Sequence, residues 1–278
     1  MGASSSRTGG RFSGQHVLIT GGSEGIDVTQ PDQVCQAVES LLQQHGKIDV
    51  VICCAGRSTP GIFLEQDVSI AERTMQLNYF GTHNTLKAVL PHMVQQNSGH
   101  AVIISSGVAL TTFLGWSSYA PSKWALRGLA DTLRNELCWT NVKISIGYPP
   151  DTDTPGYATE QMLKPPGCEE VTRAMGSALS SPKQVAACLV RSLEKGRYHL
   201  ASPDTGQDLL MGSMAGITPR PLLFLAPLLG IFIPLVLAYL RWTMDSVVKK
   251  MHGIMCEAGR QEQQQQSGPS AGLLEKRS

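Results

Sequence analysis

Charged side chains are scarce in this sequence, and patterns that mark several large classes of protein are missing. Asp, Glu, Lys and Arg make up 16% of the 278 residues, and the net charge is +1. This low and balanced charge provides no basic surface of the kind that binds nucleic acid. The histidines have no metal-ligand spacing, so the sequence predicts no metal site.

Cysteine usage and the first residues bear on the compartment of the protein. The seven cysteines are scattered, and only Cys53 and Cys54 are close together. They end an apolar run, so we interpret both as buried strand residues rather than as part of a disulfide framework. The first residues have no secretory-signal pattern, and we therefore expect reduced thiols and a cytosol-facing domain. Residues 1–6 fit the myristoylation pattern, but we favour a disordered leader on so short a motif.

Short apolar strands alternate with helical patterns through the first 200 residues. The pattern predicts strands at 16–20, 49–54, 101–104 and 142–147, and helices at 29–45, 67–76, 78–97, 119–138 and 182–195. Strands that alternate with helices predict an α/β fold with a doubly wound parallel sheet.

A long apolar run lies near the C-terminal end. Residues 222–240 carry no charge and are bracketed by Arg220 and Arg241. The run is long enough to cross a bilayer, which takes roughly 17–25 residues. Pro227 and Pro234 would kink a helix, so a re-entrant or interfacial insertion competes with a single span. A buried helix of a soluble protein is the third and least favoured interpretation. We expect a membrane anchor here.

We expect four regions along the chain. A disordered leader covers 1–13, and one α/β domain covers 14–200. A substrate-side and membrane-anchoring region covers 201–258. The polar residues 259–278 form a disordered tail.

The most informative stretch is Tyr119–Lys123, downstream of a strand that ends in Ser105 and Ser106. Residues four apart share one face of a helix. A lysine ammonium beside a phenol lowers the pKa of the phenol, and a nearby serine can hydrogen-bond a substrate oxygen. Such a set can protonate a carbonyl that is being reduced. A tyrosine and a lysine that are four residues apart lie more often on a solvent-exposed face of a helix than in an active site.

Further motifs surround this stretch in a fixed order. They are Thr20–Gly25, Cys53–Gly56, Asn78–Gly81, Ser105–Ser106, Tyr119–Lys123 and Tyr148–Gly156. The combination resembles the short-chain dehydrogenase/reductase family, over residues 14 to about 250. The resemblance implies a Rossmann-like fold, a nicotinamide cofactor, an oxidoreductase activity and a homo-oligomer.

The loop Tyr148–Gly156 narrows the resemblance. Most members of the family have Pro-Gly after this strand, whereas this chain has Pro-Pro-Asp-Thr-Asp-Thr-Pro-Gly. The loop is similar to that of members that reduce the 3-keto group of long-chain sphingoid bases with NADPH in sphingolipid synthesis. Those are membrane enzymes, so the resemblance implies a lipid substrate and an endoplasmic reticulum location with the catalytic domain facing the cytosol. The alternatives are a reductase for another lipid carbonyl and a catalytically impaired chain that dimerises with an active partner.

The resemblance also implies residue roles. Tyr119 is the general acid, Lys123 lowers its pKa and holds the nicotinamide ribose, and Asn78 holds a proton-relaying water. Ser106 hydrogen-bonds the substrate carbonyl, and Ser105 is nearly as good a candidate because strand alternation directs only one of the pair to the site. The implied cofactor-binding residues are Gly21, Ser23, Glu24, Gly25, Asp27, Ala55, Gly56, Tyr119, Lys123 and Thr154.

One departure from the family pattern follows the Gly-rich turn. Asp27 occupies the position at which the family has the last glycine of the turn. Residues Asp27–Thr29 also resemble the end of the family's third strand. We therefore expect the first helix, the second strand, the second helix and most of the third strand to be absent. A splice form and an incorrect gene model would both produce this gap. The family's sheet order is 3-2-1-4-5-6-7, so the loss would leave strand 1 as an exposed edge. The residue that selects NADPH over NADH normally follows the second strand, and we expect weakened cofactor binding.

Overall fold

The computed structural model shows one six-stranded sheet with helices packed against it. It describes residues 2–5, 12–22, 25–174, 178–214, 232, 234–239, 241–250, 253–254 and 257. The strands are β1 (Gly2–Ser5), β2 (His16–Ile19), β3 (Val50–Cys53), β4 (Gly99–Ile104), β5 (Val142–Gly147) and β6 (His199–Leu200). Strands β2 to β6 are parallel and lie side by side in chain order, as predicted for the strands that the gap leaves in place.

The helices are α1 (Pro31–His45), α2 (Val68–Met75), α3 (Gly81–Gln95), α4 (Ala120–Glu136), α5 (Pro155–Leu163), α6 (Cys168–Ala174), α7 (Pro182–Glu194) and α8 (Thr205–Ser213). Helices α1 to α7 lie between consecutive strands of the parallel sheet, and α8 follows the last strand. The apolar periodicity predicted α1, α2, α3, α4 and α7 within a few residues. Helices α5, α6 and α8 are short, and no strong pattern marks them.

Two apolar clusters lie on the two faces of the sheet. Alternate residues of β3 point to opposite clusters, with Val51 in the larger one and Val50 in the smaller one. The larger cluster packs against α1, α3 and α4, and the smaller one packs against α7 through Leu189 and Leu193. This arrangement fits a sheet covered on both faces.

The prediction of an exposed edge at the first parallel strand is wrong. Gly2–Ser5 forms an antiparallel pair with β2, and Gly2 lies opposite Ile19. The backbone groups that the missing strands leave unpaired on β2 are therefore paired by the chain's own N-terminal residues. The expected disordered leader is for the same reason incorrect at Gly2–Ser5.

The connection after β2 is short. Between Thr20 and Gln30 the described residues form neither a helix nor a strand, and β2 pairs directly with β3. Helix α1 begins at Pro31, two residues later than predicted, because Thr29 is held in a turn by the Asp27 carboxylate.

Helices α2 and α3 are joined without a break by a π-helical turn, Gln76–Phe80. The turn holds one residue more than an α-helix would place there, and such turns occur often at functional sites. Asn78 lies at its centre and is fully buried.

The predicted membrane segment falls largely outside the described residues, namely at 222–231, 233 and 240. Residues 232 and 234–239 are helical, and apolar side chains such as Phe232, Leu235 and Tyr239 are exposed. None of the helices in the described ranges is both long and apolar enough to cross a bilayer.

Candidate active site

Tyr119 and Lys123 meet at the start of α4, below the C-terminal end of β4. The carbonyl of Tyr119 accepts hydrogen bonds from the backbone N–H groups of Ser122 and Lys123, which places Tyr119 in the first turn of the helix. The Lys123 ammonium lies 5.7 Å from the centre of the Tyr119 ring. The structure thus brings the two side chains together on one face, as their spacing predicts.

The two serines after β4 have different surroundings. The Ser105 hydroxyl is buried and donates to the Lys123 carbonyl at 2.9 Å, so it fastens β4 to α4. Ser106 lines the cavity described below, and its side chain hydrogen-bonds Tyr119. The alternation of the strand therefore directs Ser106 to the site, and the structure does not bring Ser105 to the substrate side.

Asn78 and Lys123 converge beneath the loop that follows β3. Asn78 Oδ1 accepts from the Arg57 N–H at 2.8 Å, and its amide donates to the Arg57 carbonyl and to the Ser122 hydroxyl. Lys123 Nζ donates to the Ile104 carbonyl at 3.1 Å. Asn78 therefore fixes the loop next to Lys123, a role that the sequence did not indicate.

Burial governs the titration of the pair. Burial lowers the pKa of Lys123 to about 8. The pKa of Tyr119 is raised, chiefly by burial, and a hydrogen bond with Ser106 opposes that rise. The carboxylates of Glu160 and Asp151 raise it further. The sequence led us to expect that Lys123 lowers the pKa of Tyr119, but desolvation sets the direction of this shift and raises the pKa.

The Gly-rich turn is held against the end of β3. The Thr20 hydroxyl accepts from the Cys54 and Ala55 N–H groups at 3.0 and 3.1 Å. Gly21 has φ +81°, and a Cβ there would lie 2.9 Å from the Ala55 Cα and N atoms. Only glycine fits this approach. Cys54 lies past the strand and is exposed, so its predicted burial is incorrect, whereas Cys53 is buried.

The remaining residues of the predicted cofactor set have contacts of their own. Ser23 and Glu24 lie outside the described residues, and Gly25 is exposed. Both the backbone N–H and the hydroxyl of Thr29 donate to the Asp27 carboxylate. The Thr154 hydroxyl accepts from the Tyr157 N–H and caps α5. The roles of these residues toward a cofactor stay predictions.

The residues present fit one half of a nicotinamide dinucleotide. A Cβ at Gly56 would lie 3.1 Å from Asn78 Oδ1 and 3.3 Å from Lys123 Nζ, so the side of Gly56 that lacks a Cβ faces the buried lysine. This cradle suits the nicotinamide ribose beside Tyr119 and Lys123. The adenosine half has fewer groups, because the described strands β2 to β6 follow chain order without the reversal at which dinucleotides bind.

An apolar cavity of about 340 Å³ opens beside Ser106. Its walls come from the ends of β4 and β5, from α8 and from the C-terminal helical residues. The apolar lining residues include Val108, Phe113, Trp116, Leu209, Leu210, Phe232, Val236 and Leu237. A long alkyl chain would fit such a wall chemically.

A charged cluster beside the cavity was missed at the level of the sequence. The Lys164 side chain is buried, and its ammonium lies 3.1 Å from Glu160 and 3.7 Å from Asp151. Glu160 also accepts a hydrogen bond from the Ser58 hydroxyl. Asp151 lies within the loop Tyr148–Gly156. Glu160 on α5 and Lys164, directly after α5, are four residues apart, so the spacing could have indicated the pair.

Trp116 was also missed. Its ring is 3% exposed, and its indole N–H has no hydrogen-bond partner among the described residues. The Lys164 ammonium lies 5.4 Å from the centre of the ring. A buried donor without a partner costs about 1–3 kcal/mol, so this atom is available to a ligand oxygen in the cavity.

Comparison with known proteins identifies relatives of this arrangement. A profile of the short chain dehydrogenase family matches residues 25–162. A 3-ketodihydrosphingosine reductase of Dictyostelium discoideum is 43% identical over 197 residues, which are 69% of this chain and 58% of that relative. A 3-ketodihydrosphingosine reductase of Bos taurus is 33% identical over 229 residues, which are 81% of this chain and 68% of that relative. The chain thus spans about three-fifths to two-thirds of these relatives.

Solved structures show the same fold. A short-chain dehydrogenase of Streptomyces avermitilis superposes with a TM-score of 0.55 at 27% identity, over 69% of this chain and 74% of the other. An alcohol dehydrogenase of Thermococcus sibiricus, solved with 5-hydroxy-NADP, superposes with a TM-score of 0.52 at 24% identity, over 64% of this chain and 70% of the other. The second likeness shows the fold alone.

Proposed function

This chain belongs to the short-chain dehydrogenase family, and from that premise we propose that it reduces 3-ketodihydrosphingosine to sphinganine in sphingolipid synthesis. The observation that carries the proposal is the convergence of Tyr119, Ser106 and Lys123 beside an apolar cavity. The identity to the 3-ketodihydrosphingosine reductases of Dictyostelium discoideum and Bos taurus supports the choice of substrate.

The chain's own residues position and protonate the ketone. The Ser106 hydroxyl donates a hydrogen bond to the ketone oxygen, and the Tyr119 hydroxyl transfers its proton to that oxygen. A reduced nicotinamide, when bound, supplies the hydride to the carbonyl carbon. The raised pKa of Tyr119 keeps the phenol protonated before the transfer, which is the form that reduction requires. Lys123 holds the ribose and offers a positive charge to the tyrosinate that remains.

The proposed cofactor is NADPH, on the similarity of the loop Tyr148–Gly156 to that of the sphingoid-base reductases. Tyr119, Lys123 and Gly56 would hold the nicotinamide ribose, and Gly21 would lie against the pyrophosphate. Calorimetry with NADPH and NADH compares the two affinities. Tighter binding of NADH would contradict the choice of NADPH.

The experiment on the reaction uses the full chain in detergent micelles with 3-ketodihydrosphingosine and NADPH. We expect sphinganine to form and NADPH absorbance to fall in equal amounts. The control is a homologue with the same loop and a complete Gly-rich region. Turnover of 3-ketodihydrosphingosine by neither chain, when both are folded, would contradict the substrate assignment.

A second candidate function is that of a catalytically impaired partner in a homo-oligomer or hetero-oligomer. The described residues between Thr20 and Gln30 form no helix that could receive a pyrophosphate. Apolar side chains are exposed on the helices that would form a dimer face, namely Val68, Phe80 and Trp124. Absence of NADPH binding together with retained self-association would support this candidate, and stoichiometric tight binding would exclude it.

We place the protein at the endoplasmic reticulum membrane, with Tyr119 on the cytosolic side. The support is the charge-free run 222–240 and the exposed apolar side chains at Phe232, Leu235 and Val236. An anchor there would keep the cavity close to a substrate that stays in the bilayer, because Phe232 and Val236 also line the cavity.

A further inference from the structure

The cavity beside Ser106 is lined by two acidic side chains, Asp151 and Asp204, and the proposed proton transfer uses neither. Asp151 lines the cavity together with Ser106, and its side chain is 30% exposed. In the part of the chain that the structure describes, Lys164 is the only ion-pair partner of Asp151, at 3.7 Å. This distance is too long for a hydrogen bond, so the carboxylate oxygens keep room for another donor.

Backbone hydrogen bonds set the position of Asp151 relative to Ser106. The Ser105 N–H donates to the Gly147 carbonyl at 2.8 Å, and the Gly107 N–H donates to the Pro149 carbonyl at 3.0 Å. These two bonds hold the strand ends on either side of Ser106 against each other. The Asp151 carbonyl accepts from the Ser180 N–H at 2.9 Å, which fixes the loop from the other side. Asp151 therefore lies on a rigid wall beside the ketone-binding serine.

Two carboxylates lie near enough to the phenol to oppose its ionisation. Lys164 is shared between Asp151 and Glu160, so one ammonium faces two carboxylates. Both carboxylates raise the pKa of Tyr119. Proton transfer from Tyr119 leaves a tyrosinate, which a nearby negative charge disfavours. A positive charge on the substrate would remove this disadvantage at the moment of reaction.

We propose that Asp151 binds the ammonium group on the carbon next to the substrate ketone and selects free amino ketones over N-acylated ones. The inference rests on the proposed function, because a 3-keto sphingoid base carries its amine on that carbon. When Ser106 and Tyr119 hold the ketone oxygen, a substituent on the neighbouring carbon lies within reach of the same cavity wall. An ammonium there makes a charge-assisted hydrogen bond to the carboxylate.

The other two carboxylates of the cavity region are engaged. Glu160 lies 3.1 Å from Lys164 and accepts the Ser58 hydroxyl on its second oxygen. Asp204 lines the cavity but accepts from the Gln207 N–H at 3.0 Å, as the cap of α8. Asp151 is therefore the carboxylate best placed to receive a cation. The unpartnered N–H of Trp116 in the same cavity complements it, because the sphingoid head group also carries a hydroxyl oxygen.

The experiment measures binding, so that it does not depend on turnover. Calorimetry in detergent micelles compares sphinganine with N-acetylsphinganine for the full chain and for the Asp151→Asn variant. We expect the unaltered chain to bind the free amine about tenfold to a hundredfold more tightly, and the ratio in Asp151→Asn to fall to about one. Asp153→Asn, an exposed carboxylate in the same loop, is the matched control and keeps the ratio.

A second variant separates the effect of the lost charge from a loss of the fold. Asp151→Glu keeps the charge, so it should keep a preference for the free amine that Asp151→Asn loses. A preference that survives in Asp151→Asn, or equal binding of the two lipids by the unaltered chain, overturns the ammonium site.

The reaction is judged separately from this site. If the chain does not reduce the ketone but binds the free amine more tightly in a way that depends on Asp151, the proposed reaction is contradicted and the ammonium site is supported. Reduction of the free and the N-acylated ketone with equal kcat/KM supports the proposed reaction and contradicts the ammonium site.

Discussion

At the scale of single residues, burial decides how Tyr119 and Lys123 behave. Both side chains titrate away from their ordinary ranges because they are desolvated, and both shifts favour the uncharged form. The phenol stays protonated and the lysine loses its proton more easily than a solvated one. The phenol is therefore in the form that gives a proton to a substrate, and Lys123, with a pKa of about 8, still carries enough positive charge at pH 7 to stabilise the tyrosinate.

The first prediction concerns the proton donor. Tyr119→Phe removes the hydroxyl and keeps the ring, so we expect kcat to fall by roughly 10²–10⁴-fold, the usual contribution of a general acid. The melting curve should stay close to that of the unaltered chain. Tyr79→Phe, in the π-helical turn, is the control and should keep its activity. Retained turnover in Tyr119→Phe would remove Tyr119 from this role.

The second prediction concerns the buried lysine. Its pKa is lowered from 10.5 to about 8 by burial, so the unfolded chain binds more protons between these two pH values. The free energy of unfolding therefore rises with pH through this window, by about 3 kcal/mol at most from Lys123. Urea unfolding at pH 7, 8.5 and 10 measures it against Lys123→Met, which lacks the rise. The same pH dependence in both chains would show that Lys123 is not desolvated.

Residue-level inference from the sequence succeeded where spacing carries the chemistry. The helical spacing of Tyr119 and Lys123 placed them together. Strand alternation left Ser105 and Ser106 as alternatives, and in the structure Ser106 is the one that faces the cavity. Asp151 and Glu160 were missed, because they approach Tyr119 through the folding of the chain after β5 and not through sequence spacing. Trp116 lies three residues before Tyr119, and it was missed because its burial and its unpartnered N–H depend on the folded structure. The direction of the Tyr119 pKa shift was also missed, since burial depends on the whole packed domain.

At the scale of elements, the tight contact between the Gly-rich turn and the end of β3 should tolerate an added side chain poorly. The third prediction is that Gly21→Ala lowers the free energy of unfolding by at least about 2 kcal/mol. A left-handed backbone costs an alanine roughly 1–2 kcal/mol, and its Cβ would also meet the Ala55 backbone at 2.9 Å. Thermal or urea unfolding measures the loss.

Two control variants separate strain from contact in this experiment. Gly14→Ala has φ +76° with nothing within 4 Å of the added Cβ, so it carries only the backbone strain. Gly22→Ala has neither strain nor contact and should be nearly neutral. Equal losses in Gly21→Ala and Gly14→Ala would show that the approach to Ala55 is not limiting.

The fourth prediction concerns the edge strand. Deletion of residues 2–5 leaves the outer backbone groups of β2 unpaired, and unpaired edges promote association between chains. We expect a loss of roughly 2 kcal/mol in the free energy of unfolding, since each backbone hydrogen bond contributes about 0.5–1.5 kcal/mol, together with increased light scattering. Replacement of residues 2–5 by another strand-forming tetrapeptide is the control and should restore both. Unchanged stability and scattering after deletion would contradict a structural role for β1.

Strands β2 to β5 and the longer helices could be predicted, because each has a strong apolar period of its own, whereas the two-residue strand β6 was not predicted. The pairing of Gly2–Ser5 with β2 could not, because these residues are small and polar and carry no strand pattern. Their placement follows from the free edge that the missing strands leave. The short helices α5, α6 and α8 escape prediction for a related reason, since tertiary contacts and caps stabilise them more than their own sequence does.

At the scale of the whole molecule, the proposed orientation at a membrane would bring the cavity close to the proposed lipid substrate. The fifth prediction is that the segment 222–240 inserts without crossing, so that both flanks stay cytosolic. A single span would place Lys249 and Lys250 across the bilayer from the catalytic domain, against the positive-inside tendency. Protease treatment of sealed microsomes should digest a C-terminal tag.

The outcomes of the protease experiment distinguish three arrangements. A protected tag would mean a span and would contradict the shallow insertion. Release of the whole protein by carbonate washing would contradict integral anchoring of any kind. The control is a tag after residue 200, which should be digested in both of the anchored arrangements.

The order of the sheet has a consequence for how the chain acquires its structure. Each strand from β2 to β6 pairs with the strand that precedes it along the chain, so no strand waits for a partner made much later. Each parallel pairing still closes a long crossover, as between Val17 and Val50 or between Ile146 and His199, and such pairings form slowly. Because every partner strand is made earlier in the chain, the sheet can grow strand by strand during synthesis, with β2 and β3 paired before the residues of α4 have left the ribosome.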